Sequence, residues 1–593
     1  MSAPASRPHL LQKLGRAFRA LGAQPRYAIK TVGYGLVGAA SAIALALAIE
    51  FLFSRTIEHF SHLAFWEFAL YSLGSILATS ALVGYLLSVY APDAAGSGVP
   101  QLKLAYWERF GYVRWRETWV KFVACILSVG GGTSLGREGP SVFVAGAMSG
   151  HFARWMGETR KGLRPAAAAG AAAGLAAAFN TPIAAIFFVL EEMLEDLNSR
   201  HLGGVILASV TGAFTVWAVI GSQPAFQLRE LADPNWQAYV LIPLVAALAS
   251  LVGVGFQRAS LYLRWKRRTR PLMPAWLYPV AAGLMTWVLG VSVFYLTGKL
   301  GVFGLGYHDM SEALGNHEQL TLVGGRVALF TIVALLVAKF AATVLAYGFG
   351  GCGGIFAPTL FFGTMTGLLV AYIAELILPN HSLGGGEETV LAVVGMSACL
   401  GAVVRAPITS ILIVFEMTHQ FSIVPALMVG AIISQAISRY FNEDNFYSEV
   451  LKQDGADLDL LMPPRDLGSW LSMPVGEHVR FQRFILRSLD PEATRAAIAT
   501  HQVAWFPVVI DDALEGVVSR FEIERALEHG QRPNVAPAMV ASPYDTIGHV
   551  QSLLLDSTSD AVVIRREKDG KVLGIVTMRA LLTEEIAHSA QRY

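Results

Sequence analysis

GAAAGLAAAFNTPIAAIFFVLEEM, residues 170–193, aligns without a gap on GMSACLGAVVRAPITSILIVFEM, residues 395–417. The matched positions lie 225 apart: 395 − 170 for the first glycines, 407 − 182 for the prolines, 416 − 191 for a shared glutamate. Upstream, GREGP at 136–140 falls opposite GIFAP at 354–358 with an offset of 218 (354 − 136), so the second half carries seven extra residues (225 − 218) between its paired motifs. Two homologous halves therefore make one domain. Transport sites at mid-depth between such halves usually come from inverted repeats.

The composition says where that domain resides. Hydrophobic residues are 54% of 593 and charged ones 15%, against about 25% charged in ordinary soluble domains, and mean hydropathy is +0.49. This is an integral membrane protein. Apolar runs recur from residue 31 to about residue 441, among them 240–256, 276–298, 327–338 and 391–404. Many are shorter than the roughly 20 residues that cross a bilayer, or are broken by Gly and Pro. They predict interrupted helices that stop inside the membrane, as in transporters that build a site there. The tract 166–179, almost all alanine and glycine, predicts helices packed backbone to backbone.

Charge placement gives an orientation. Arg7, Lys13, Arg16, Arg19, Arg26 and Lys30 precede the first acid, Glu50, which puts this end and the basic loop RWKRRTR at 264–270 in the cytoplasm. The charged stretch is too long for a signal peptide and lacks a small-residue cleavage site, so 1–30 reads as an amphipathic helix on the inner surface. A net charge of +1 does not point to nucleic acid. Cys125, Cys352 and Cys399 sit in apolar surroundings and read as packing residues, with no disulfide framework.

From about residue 454 the polarity becomes that of a soluble domain. Residues 454–470 read as a linker after a membrane domain at 31–453. Two α/β modules follow, at 471–530 and 531–593. Asp490-Pro491 starts a helix to about His501; 506–510 and 514–519 form a hairpin followed by a helix from Glu522. A helix near 545–556, a strand at 560–566, a turn at 568–570 and a strand at 572–577 repeat the pattern. GVVS and GIVT are matching ends 58 apart (574 − 516).

Four stretches carry chemistry: GSGVP at 96–100, GREGP at 136–140, GIFAP at 354–358, and Tyr447 in NFYSEVL. Three end a Gly-flanked core in Pro, as where unwound backbone presents free N–H groups before a helix starts. Converging helix N-termini attract a dehydrated anion and repel a cation. Ser97 and Tyr447 add hydroxyl donors. Glu138, a tethered carboxylate at such an N-terminus, is itself an anion that competes with the ligand until a proton neutralises it. Arg137 reads as a structural ion-pair or backbone partner, since a fixed guanidinium would hold the anion too tightly. Glu191 recurs as Glu416 in the second half and reads as structural. Glu192 falls opposite Met417, so this acid breaks the repeat and is the functional candidate.

These motifs resemble the CLC family of chloride channels and chloride/proton antiporters over essentially the whole chain, and the soluble pair resembles CBS domains. The resemblance implies an all-α polytopic membrane domain of two inverted repeats with broken helices, a C-terminal α/β CBS pair, and a homodimer with one anion pathway per subunit. It implies that Ser97 and Tyr447 coordinate a central chloride with the amides of Ile355 and Phe356, Gly98 and Gly139 completing the anion-binding set. Glu138 would be the gating glutamate and Glu192 the internal proton acceptor, because family antiporters carry an acid where channels are apolar. The resemblance also implies a preference for chloride over nitrate, because nitrate-preferring members of the family tend to have proline where Ser97 stands. A passive chloride channel is the alternative, and a CBS-bearing magnesium transporter a remote one, since the motifs are anion-seeking.

No cofactor is required beyond bound chloride. In the tail, Ser519, Glu522 and Thr577 are the candidates for adenine nucleotide, but Ala580 leaves the second site without its acid. An enzyme is not expected: HEQLT at 317–321 lacks the second histidine of HExxH, and no histidine stands in a context suited to activate Ser97. Protons, chloride and membrane lipid are the expected partners.

Overall fold

A 31-residue helix, Ala23–Phe53, is the first element of a computed structural model that describes residues 22–197, 201–221, 236–315, 325–377, 386–456 and 470–590, apart from 483, 502 and 558. The chain divides into two compact units, Met1–Ala456 and Asp457–Tyr593. Most of the segment 1–30 and of the linker 454–470 lies outside the described residues, as does HEQLT. The described part of the first segment is not a separate surface helix. Residues 23–30 run into the first span, and Pro25 sits in the first turn, where a missing N–H is tolerated.

Among the described residues nine helices are long and apolar enough to cross a bilayer. Shorter ones stop within the domain: Val99–Glu108, Pro182–Phe188 continued by a π turn at Val189–Leu194, Tyr307–Gly315, Pro407–Thr418 and Phe446–Gln453. The tract 264–270 is not a loop. The helix Trp236–Thr269 runs through all but its last residue, because Lys and Arg are good helix formers and suit the negative end of a helix.

Small residues set the packing. A Cβ added at Gly170 would come within 2.2 Å of Ser149 Oγ, and one at Gly174 within 2.3 Å of Ala145 Cβ, so helix Arg160–Phe179 lies almost on the backbone of Glu138–Trp155. The second half repeats this, with a Cβ at Gly363 falling 2.2 Å from Gly395 O. Lipid offers helices no hydrophobic reason to associate, so such close backbone contact is what holds them. All three cysteines are buried and free.

The halves exchange equivalent contacts. Gly136 N donates to Gly354 O at 2.8 Å, and Gly354 N to Gly136 O at 2.6 Å. The Glu191 carboxylate accepts from Ile408 N and Thr409 N at 3.2 and 2.8 Å, while that of Glu416 accepts from Ile183 N and Ala184 N at 3.0 and 2.7 Å. Both 408 − 183 and 409 − 184 equal the repeat offset of 225. Contacts in which i meets j and j meets i are the mark of a two-fold relation. The shared acid is therefore a reciprocal helix cap, as the repeat implies.

In the second unit, β1 (Trp505–Ile510) and β2 (Ala513–Ser519) form the expected antiparallel hairpin. Its turn residues Asp511 and Asp512 both have positive φ, as a right-twisted two-residue hairpin needs. β3 (Met539–Ala541) pairs parallel with β4 (Ala561–Arg565), which pairs antiparallel with β5 (Val572–Thr577). β3 has no counterpart in the sequence reading, because three residues are too few to show alternation. The helices Arg520–His529 and Ile547–Asp556 each start two residues from the expected place, where Ser519 and Thr546 accept from Glu522 N and His549 N.

Candidate anion and proton site between the halves

The loops that the sequence marks as helix starts meet where the halves touch. Gly96 N donates to Gly351 O at 2.9 Å and Gly353 N to Gly96 O at 3.2 Å, which ties GSGVP to the run before GIFAP; the Gly136–Gly354 pair ties GREGP to it as well. Gly98 has φ 93°, and a Cβ there would stand 2.7 Å from Phe143 Cβ, so conformation and space both require glycine. Gly139 lies against Ser97: its added Cβ would be 2.1 Å from Ser97 Oγ. Ile355 precedes and Phe356 begins the helix Phe356–Ile377, whose first amides have no intrahelical partner. The Phe356 ring neighbours Phe179 and Phe188, with centroids 6.1 and 5.4 Å away.

Tyr447 lies in the first turn of Phe446–Gln453, which packs on Val99–Glu108. Ser97 Oγ and Tyr447 Oη are buried hydroxyls with no hydrogen-bond partner among the described residues. The structure thus brings together Ser97, Gly98, Gly139, Ile355 and Phe356, with the Tyr447 helix beside them. What this region offers a ligand is hydroxyl hydrogens and the positive ends of helices.

Glu138 opens the helix Glu138–Trp155 and is fully buried. Its Oε1 accepts from Tyr307 Oη at 2.5 Å. Its Oε2 has no partner among the described residues and fits against Gly136, where a Cβ would come within 2.5 Å. Tyr307 borders a cavity of about 500 Å³ that Glu50, Phe53, Arg137 and Asp309 also line. Arg137 lines the same cavity. Among the described residues it makes no ion pair, its Nε is buried without a partner, and its carbonyl accepts from Ser141 N and Oγ.

Glu192 lies in the π turn and is almost wholly buried. Its Oε1 accepts from Lys103 Nζ at 2.9 Å and its Oε2 from Asn445 Nδ2 at 2.9 Å. Asn445 is also the cap of the Tyr447 helix, its Oδ1 accepting from Ser448 N at 2.8 Å. Lys103 reaches Glu195 Oε1 as well, at 2.7 Å.

Glu138 and Glu192 lie toward opposite faces. Lys30, early in the first helix, pairs with Glu158; Arg164 donates to Tyr106 O and Trp107 O; and Trp107 Nε1 donates to Met193 O at 3.1 Å. The Glu192 region therefore sits at the Lys30 end. Tyr307 shares its cavity with Glu50 and Phe53, about 30 Å further along that helix at 1.5 Å per residue.

The repeat mates are split the same way. Buried Lys121 donates to Gly96 O at 2.8 Å and Ala95 O at 3.3 Å, while Lys339, 218 later (339 − 121), donates to Gly304 O at 2.7 Å and Val302 O at 3.3 Å. The first loop leads into the helix carrying Lys103 and Trp107, and the second into Tyr307 at the opposite end. The halves are inverted.

Sequence reasoning missed Tyr307, Lys103, Lys121 and Asn445. The lysines were visible, since an ionisable side chain in an apolar helix is a functional candidate by default. Tyr307 and Asn445 carry no local signal, because their roles come from partners 169 and 253 residues away.

In the tail, Ser519 Oγ and Thr577 Oγ1 accept from Glu522 N and Ala580 N at equivalent helix starts. The Glu522 carboxylate meets Arg525 Nη2 at 3.0 Å and Asn534 N at 3.3 Å.

The family model for voltage gated chloride channels matches residues 79–439 and that for CBS domains matches 534–586. A protein of Vibrio campbellii named H(+)/Cl(-) exchange transporter ClcA is 32% identical over 396 residues, 64% of this chain and 79% of the relative. One of the same name from Salmonella agona is 30% identical over 440 residues, 72% and 87%. Among solved structures, a slow cyanobacterial Cl-/H+ antiporter superposes with a TM-score of 0.62 at 23% identity, covering 73% of this chain and 99% of the other. A eukaryotic CLC transporter does so with a TM-score of 0.63 at 19% identity, covering 94% and 98%.

Proposed function

The chain belongs to the voltage-gated chloride channel family, and from that premise we propose that it exchanges chloride for protons across a membrane. One observation carries this reading: two buried carboxylates, Glu138 and Glu192, lie toward opposite faces, on either side of a buried region lined by hydroxyls and helix N-termini. A channel needs an anion path; it does not need a second buried acid on the far side, tied through Asn445 to the helix that carries Tyr447.

Chloride binds where Ser97 Oγ and Tyr447 Oη can donate, supported by the amides of Ile355 and Phe356, with Gly98 and Gly139 allowing close approach. Ionised Glu138 occupies the neighbouring helix N-terminus and excludes a second anion. A proton on Glu138 removes its claim on that position, and chloride takes it. Glu192 supplies or receives the proton at the other face. Glu138 alone would gate an anion path; Glu138 and Glu192 together link the two fluxes. The names of the relatives from Vibrio campbellii and Salmonella agona support the exchange.

The basic N-terminal end and the tail are cytoplasmic in this reading, and the protein works as a homodimer. Adenine nucleotide, if the tail binds it, contacts Ser519 and Glu522 in the first module and Thr577 in the second. Reconstitution in liposomes with chloride and pH recorded together tests the reading. Uphill proton uptake driven by a chloride gradient supports it, and chloride flux with no proton movement contradicts it.

A further inference from the structure

Two carboxylates share one ammonium at the Lys30 end, and we propose that Glu195 is the acid through which protons from that face reach Glu192. The inference rests on Glu192 being the inner proton site. Lys103 is fully buried, 2.9 Å from Glu192 Oε1 and 2.7 Å from Glu195 Oε1. Exposure falls along the series: the Glu195 side chain is 23% exposed, that of Glu192 2%, that of Lys103 nil. Glu195 is thus the member of the cluster that lies at the protein surface.

Both carboxylates meet the same nitrogen, so a proton taken up at one can be exchanged for a proton at the other through Lys103. The transfer balances as follows. A hydronium ion at the surface protonates Glu195 and leaves water. Lys103 releases one proton to Glu192 Oε1, and the lone pair this leaves on Nζ takes the proton of Glu195. Lys103 remains an ammonium, Glu195 returns to a carboxylate, and one proton has moved inward. Asn445 Nδ2 holds the other oxygen of Glu192 and caps the Tyr447 helix, so the anion site adjoins the cluster's change of charge.

The backbone is locally altered to place this acid. In the second half the helix Pro407–Thr418 ends at left-handed His419, φ 54°. By the offset of 225 its mate would end at residue 194, yet the left-handed residue is Glu195, φ 52°. The π turn Val189–Leu194 accommodates the extra residue, a device frequent at functional sites. At the matching position of the second half stands Gln420 (420 − 195 = 225), which cannot carry a proton.

The test is joint chloride and proton recording on the full-length protein in liposomes. Glu195→Gln is expected to cut proton flux at least fivefold while chloride flux stays within about twofold, so the chloride-to-proton ratio rises; Glu195→Asp restores most of the coupling. An unchanged ratio in Glu195→Gln overturns the inference. Glu192→Gln, run beside it, separates the two levels. If it uncouples while Glu195→Gln does not, only the role of Glu195 fails; if it too transports protons normally, the reading of Glu192 fails. Should Glu195→Gln give no chloride flux, Glu195→Asp and Glu195→His decide. Coupled transport in both supports the inference, and absence of transport in both marks Glu195 as a folding residue and overturns it.

Discussion

Tyr307 Oη donates to Glu138 Oε1 at 2.5 Å from the first residue of a helix that borders the cavity at the Glu50 end. A hydrogen bond to a charged group is worth about 1.5–3 kcal/mol, and in the proposed mechanism it holds the carboxylate in the place chloride would take. Tyr307→Phe should let chloride compete about tenfold better, seen as a lower Kd in calorimetric chloride titration. In a Glu138→Gln background the same substitution should change nothing. An effect of equal size in both backgrounds would mean that Tyr307 acts on the fold and not through Glu138.

Gly139 leaves no room for a side chain, since its Cβ would fall 2.1 Å from Ser97 Oγ and 2.9 Å from Ser97 O. The hydroxyl can only escape by rotating out of its present rotamer and the carbonyl, as backbone, cannot move aside, so Gly139→Ala should displace the Ser97 hydroxyl and weaken chloride binding at least tenfold. Gly74, with nothing within 4 Å of its added Cβ, provides the control: Gly74→Ala should bind chloride like the parent.

Glu191 and Glu416 cap each other's half, and Glu191 also accepts from Thr409 Oγ1 at 2.6 Å. Removing either charge weakens two or more bonds to helix N-termini, a loss of about 1–3 kcal/mol. Glu191→Gln and Glu416→Gln should each lower Tm by several degrees in detergent and leave the chloride-to-proton ratio untouched. A changed ratio in either would move that acid from scaffold to transport.

The tail offers one carboxylate where a nucleotide ribose would sit. Glu522 is held by Arg525 and Asn534 N, and the second module has Ala580 in its place. Adenine nucleotide binding, measured by equilibrium dialysis on the full chain, should therefore saturate at no more than one site and vanish in Glu522→Ala. Two sites, or binding indifferent to Glu522, would contradict this.

The membrane fold was legible because the repeat survives as identity: the prolines at 182 and 407 and the acids at 191 and 416 give one offset, and the structure turns that offset into reciprocal bonds. Left-handed Asn180 and Arg405, both at φ 59°, obey it too. The helix starts at Glu138 and Phe356 were legible from Gly and Pro spacing. What stayed hidden was long-range: the bond by which Tyr307 engages Glu138 comes from 169 residues away. The extra residue absorbed by the π turn was equally invisible, since a gapless alignment through Glu192 stops just before the helices diverge. The basic tract 264–270 misled because its charge suggested a loop, whereas helix propensity and the helix dipole favour continuing.

The central claim is that Glu138 and Glu192 together couple the fluxes, and simultaneous chloride and pH recording on liposomes bearing Glu192→Gln tests it most directly. The expected result is chloride flux of parental order with proton flux reduced to the leak of empty liposomes. Chloride-driven proton uptake at the parental ratio in that variant would contradict it.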